Sequence, residues 1–93
     1  MSEYFTLKAE ATDDPDVMEI ITSEVLAEDE REVYTSADEG DEGSAIAQAL
    51  FHAVDGIMAL VIDEDTLIVR RDPDVPWEAL IDEVRDVLRD FFL

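Results

Sequence analysis

The sequence contains no cysteine. That excludes disulfides, thiol catalysis, thiolate-held zinc and any cysteine-ligated iron–sulfur cluster within these residues. Cations are scarce. Six lysines and arginines stand against 26 aspartates and glutamates, a formal net charge of −20. Phosphate contact needs a basic surface, so nucleic acid and anionic membranes are excluded as partners. No apolar run approaches the roughly 18 residues of a membrane span. The start, Met1-Ser2-Glu3-Tyr4-Phe5, has neither the basic nor the apolar region of a signal peptide. We read the chain as cytoplasmic.

What is present is globular. The 93 residues are 47% hydrophobic, enough for one core and too few for two, so residues 1–93 are read as a single domain. The acids are spread along the chain, with a denser cluster at Asp38, Glu39, Asp41 and Glu42. A dispersed excess makes the whole surface acidic rather than one tail. This charge far exceeds the magnitude of about 2–8 usual for a small soluble domain. It suits a protein that works in high salt, where the Debye length falls to about 3 Å at 1 M and repulsion is screened.

Periodicity then gives the elements. Tyr4–Ala9 alternates, with Phe5, Leu7 and Ala9 on one side, which predicts a strand. Thr12-Asp13-Asp14-Pro15-Asp16 is turn chemistry. Val17–Thr22 predicts a second strand paired back on the first, and Glu28–Glu30 a charged connection. Arg31–Thr35 predicts a short strand. Ser36–Gly43, with two glycines and four acids, predicts a loop with nothing to bury. Ser44 caps a helix running to about Val54, and Gly56 stands where a left-handed residue is wanted after its end. Ile57–Ile62 is apolar on both pleat faces. It turns through Asp63-Glu64-Asp65 into Thr66–Arg70, a hairpin that belongs at the centre of a sheet. Pro76 opens a last helix in which Trp77, Leu80, Ile81, Val84, Val87, Leu88 and Phe91 recur at spacings of three and four. The predicted fold is α+β: a mostly antiparallel sheet of about five strands, in the order β-β-β-α-β-β-α, with two helices packed on one face.

Several of these segments carry a resemblance. Ser44-Ala-Ile-Ala-Gln-Ala-Leu-Phe51 is followed by Val54-Asp55-Gly56-Ile57, a hairpin, and Trp77-Glu78-Ala79-Leu80. This order and spacing resembles the N-terminal domain of the Nfu/NifU-type iron–sulfur scaffold proteins. Thr12–Ile20 is similar to that family's early T-P-N-P-N-x-x-K-F segment, with aspartates for asparagines and Glu19 for the lysine. The similarity spans almost the whole chain. The family's cluster is held by a Cys-x-x-Cys pair in a second domain, which these residues do not contain, so cluster carriage does not transfer. What the resemblance implies is an accessory domain for partner contact or scaffold positioning.

Candidate sites are few. His52, the one histidine, shares a polar helix stripe with Gln48 and Asp55. A lone surface imidazole is ordinarily solvated, since a metal needs several converging ligands. Arg70 and Arg71 form the one adjacent basic pair, for local ion pairing or for recognition of an anionic group or an acidic partner. Trp77 heads the apolar stripe and is expected in the core, with an interface anchor as the other reading. Asp13, Asp14 and Asp16, like Asp63, Glu64 and Asp65, offer hard oxygen donors, but neither run matches an EF-hand loop. There is no convincing nucleophile set and no glycine-rich phosphate loop. We therefore expect no catalytic, cofactor-binding or metal residues. Arg70, Arg71, Trp77 and His52 are the candidate partner contacts. The expected function is a non-enzymatic accessory domain linked through protein partners to iron–sulfur cluster assembly, with a monomer favoured. The alternative is a freestanding acidic protein that binds a divalent cation or a protein ligand. The charge itself is testable. Thermal midpoints from about 0.05 to 2 M KCl should rise by several degrees, alike in NaCl, because screening relieves repulsion. A flat or falling trend would show that the acids are balanced locally.

Overall fold

The structure, a computed structural model, describes residues 5–92, apart from the side chain of Asp29. Its elements are β1 (Leu7–Ala11), β2 (Val17–Thr22), β3 (Ala27–Tyr34), α1 (Ala37–Asp41), α2 (Ala45–Ala53), β4 (Ile57–Glu64), β5 (Thr66–Arg71) and α3 (Trp77–Phe92). The strands form one sheet in the order β1-β2-β5-β4-β3, with every neighbouring pair antiparallel. The architecture is α+β, as the sequence predicts.

The hairpin β4–β5 sits inside the sheet, where its two-sided hydrophobicity places it. On one pleat face Leu60 pairs with Val69 and Ile62 with Leu67, and Leu67 also faces Ile20 of β2. All five are fully buried. The helices supply the other wall. Leu80, Val84 and Leu88 of α3 recur every four residues and are wholly buried, as are Ala47 and Leu50 of α2. Each Leu or Val removed from water in this way contributes about 1.5–3 kcal/mol. Ser44 caps α2 by accepting from the Ala47 N–H at 3.3 Å, and Ser36 caps α1 through the Glu39 N–H. Gly56 takes φ +98 in the turn after α2 and lies under the Val75 side chain. Any Cβ there would meet both a strained backbone and Val75.

Three expectations are corrected. The first strand begins at Leu7, not Tyr4. Tyr4 lies outside the described residues, and Phe5 precedes the strand and stacks on Phe92 with ring centroids 6.1 Å apart. Glu28–Glu30 is not a connection. It lies in β3, whose register slips between Ala27 and Glu32, so this stretch bulges at the sheet edge instead of pairing residue for residue. Polar residues are tolerated there because an edge strand has one side in water. Ser36–Gly43 is not wholly a loop either. Residues 37–41 form the helix α1, and Gly40 is buried against the Phe51 ring, which leaves no room for a side chain. Among the described residues, no helix is long and apolar enough to cross a membrane.

Candidate functional site

Three of the four sequence-predicted contact residues converge on one corner. The β1–β2 turn, the end of β5 and the start of α3 meet there. Thr12 shapes the turn: its hydroxyl accepts from the Asp14 N–H at 3.2 Å and donates to the Val17 carbonyl at 2.9 Å. Asp14 in turn accepts from the Asp16 N–H at 2.9 Å. These are the local side-chain-to-backbone bonds that Thr and Asp offer in turns. The Arg71 N–H donates to the Asp16 carbonyl at 2.8 Å, which fixes the turn beside β5.

The side chains then close the corner. Arg70 Nη2 reaches Asp14 Oδ2 at 3.3 Å, and Arg71 Nε reaches Asp16 Oδ1 at 3.2 Å. Arg71 Nη1 also donates to the Val75 carbonyl at 3.0 Å. Its guanidinium carbon stands 5.0 Å from the centroid of the Trp77 ring, within cation–π range. Trp77 Nε1 donates to the Pro15 carbonyl at 2.8 Å. Trp77 is therefore not a deep core residue, as expected from its stripe. It is half-buried at the core's margin and spans from α3 to the turn. An indole at the edge of a core can satisfy its N–H while its ring packs.

The electrostatics follow from these contacts. Asp14 is held below the ordinary aspartate range, first by the Asp16 N–H and then by the charge and hydrogen bond of Arg70, partly offset by desolvation. A lowered folded pKa stabilises the fold above the ordinary aspartate value, and that contribution is lost as pH falls through the folded one. Arg71 is largely enclosed, with 18% of its side chain exposed, against 51% for Arg70. Arg71 and Trp77 are thus occupied within the molecule, and Arg70 is the group at this corner that faces outward.

His52 lies elsewhere, on α2. Its Nε2 is 2.8 Å from Asp41 Oδ1 of α1, an exposed polar contact that ties the two helices. It borders an apolar groove between α2 and α3 formed by Ala49, Ala53, Val87 and Phe91. Phe91 is 46% exposed. Sequence reasoning missed this groove, although the small residues Ala49 and Ala53 one helical turn apart and the outlying Phe91 signal it. The acids at the β4–β5 turn line an open cleft with Glu19. Among the described residues, no three His, Asp or Glu side chains gather as a metal site.

The sequence and the fold define a class of protein. Residues 7–93 match the model of a family described as "Scaffold protein Nfu/NifU N terminal", and the chain belongs to that family. Among solved structures, a NifU-like protein from Saccharomyces cerevisiae superposes with a TM-score of 0.79 at 24% identity, over 97% of this chain and 82% of that one. Protein SAV1430 from Staphylococcus aureus does so at 0.69 and 23% identity, over 87% of this chain and 94% of its own. Protein SeR13 from Staphylococcus epidermidis gives 0.57 at 18% identity, over 90% and 94%. At these identities the likeness speaks for the fold. No curated protein matches the sequence.

The corner makes a direct prediction. Trp77→Ala removes a half-buried ring, its hydrogen bond to Pro15 and the surface under Arg71. It should cost about 1.5–3 kcal/mol in denaturant unfolding, below the 3–5 kcal/mol of a fully buried aromatic. A loss under about 0.5 kcal/mol, the size of an ordinary surface change, would show that the clamp holds nothing.

Proposed function

We propose that this chain is a non-enzymatic interaction domain that serves iron–sulfur cluster assembly through protein partners in the cytoplasm. The observation that carries this reading is the match to the Nfu/NifU scaffold N-terminal family across residues 7–93. The chemistry of the chain fits it. These 93 residues have no thiol to ligate iron, and the one histidine is paired with Asp41 at the surface. The acidic charge supplies a long-range field that steers a basic partner at low ionic strength and is muted in high salt. Arg70 at the corner and the groove bordered by His52 and Phe91 are outward-facing features available for contact. A role in positioning a partner therefore suits the residues better than a role in bond chemistry.

The test has two arms. Iron and sulfide reconstitution of the purified chain should leave no visible-range absorbance on the protein. A pull-down in high salt with the tagged chain should recover a cysteine-bearing cluster scaffold or a cysteine desulfurase. A stoichiometric cluster that survives chromatography, or a pull-down free of both partner types, would contradict the proposal.

A further inference from the structure

The groove between α2 and α3 has an apolar floor and an acidic rim. It encloses about 420 Å³. Ala49 and Ala53 form one wall, and Val87 and the 46% exposed Phe91 form the other. Its polar lining residues are His52 and Asp90. His52 contacts the exposed Asp41 at 2.8 Å. One turn before Val87, Glu83 accepts from the Asp55 N–H at 3.3 Å, which sets two more carboxylates at one end of the groove.

Charge is segregated around α3. At about 100° per residue, Glu83, Val87 and Asp90 share the flank toward α2. Both arginines of the helix, Arg85 and Arg89, stand at least about 100° round from all three. Arg85 pairs on that far flank with Asp82 at 3.0 Å. The lining and bordering residues of the groove thus carry the carboxylates Asp41, Asp55, Glu83 and Asp90 and no lysine or arginine. The cleft at the β4–β5 turn is acidic too, but carboxylates make up most of its lining.

We propose that this groove docks a basic amphipathic helix of a partner protein, apolar along one stripe and flanked by lysines or arginines. The floor favours burial of an apolar stripe. An extended segment would lay its backbone groups on Ala49, Ala53, Val87 and Phe91, whose side chains have no polar atom to satisfy them. A helix satisfies its own backbone and seats its ridge between α2 and α3. The carboxylate rim then selects the flanking charge. A second copy of this chain does not fit. Its α3 stripe is already buried on Leu80, Val84 and Leu88, and it brings a charge of −20 to an acidic rim. In high salt the rim is screened and the apolar floor carries the contact. This docking role rests on the reading of the chain as an interaction domain and names the kind of partner.

The probe is a synthetic helix-forming peptide of about 15 residues, with leucines at i, i+3, i+4 and i+7 and lysines on both flanks. NMR titration of the full chain should shift residues 49–53, 83–87 and 90–91 and leave β4 and β5 unmoved. A peptide of the same composition with its leucines scattered should bind at least about tenfold more weakly. Ala53→Arg, at an exposed position of α2, should weaken binding by about tenfold or more. Asp90→Lys should weaken it by about threefold and flatten its salt dependence. Asp63→Lys in the distant acidic turn should leave it within about twofold. If a variant does not fold, the shift map of the unaltered chain and the scattered peptide decide. Equal affinity for the scattered peptide, shifts centred on the sheet, or full affinity in folded Ala53→Arg would overturn the groove. The high-salt pull-down separates this from the wider reading. Recovery of a cluster partner by Ala53→Arg at the unaltered yield would overturn the groove and leave the interaction domain standing. Peptide binding as expected beside a pull-down free of both partner types would support the groove and contradict the link to cluster assembly.

Discussion

The rest of the structure depends on the burial of the β4–β5 hairpin. Its two strands are joined by a tight turn at Glu64 and Asp65, in which Glu64 adopts the left-handed φ of +51. Such a short connection keeps the two strands in register and lets their alternation act on both sides of the sheet. β2 is then fixed to the hairpin twice at the same end. The Thr22 N–H donates to the Asp65 carbonyl at 2.9 Å, and the Thr22 hydroxyl donates to it at 3.1 Å. At the other end, the corner of Asp16, Arg71 and Trp77 ties the β1–β2 turn to α3. α2 and α3 pack on the pleat face that carries Ile20, Leu60, Ile62, Leu67 and Val69. Among the described residues, no helix lies over the opposite, open face.

That arrangement explains why the conspicuous residues are not all surface tools. In a chain with 26 acids, a buried or half-buried arginine finds a carboxylate easily. Arg71 does so with Asp16 and adds a carbonyl and an indole. Its cost of burial is offset by the carboxylate, the carbonyl and the ring face. Arg70, one residue before it, points to the other pleat face and stays exposed. Strand alternation alone gives the adjacent pair two different jobs: Arg71 closes the corner and Arg70 edges the open face.

Much of this was legible in the sequence, for physical reasons that differ by element. The hairpin was readable because residues apolar on both pleat faces fit only a central strand. α3 was readable because four turns of stripe leave one face to bury. β3 was not, because the bulge at Glu28–Arg31 breaks the alternation that marks a strand. α1 was hidden by its composition, although Ser36-x-x-Glu39 is a capping pattern, and Glu39 accepts from the Thr35 N–H at 2.7 Å. The gathering of Arg70, Arg71 and Trp77 was only half visible. Their chain positions lie close together, but Asp14, Pro15 and Asp16 are brought to them by the pairing of β2 with β5. The α2–α3 groove needed two helices from distant parts of the chain to pack side by side.

Native-state amide hydrogen exchange tests the central claim most directly, because it reads the local cost of opening each pair of strands. If the buried hairpin organises the fold, the slowest amides will lie between Leu60 and Val69, with β1 and the bulged part of β3 opening far earlier. Exchange of β4 and β5 as fast as that of the edge strands would contradict the account.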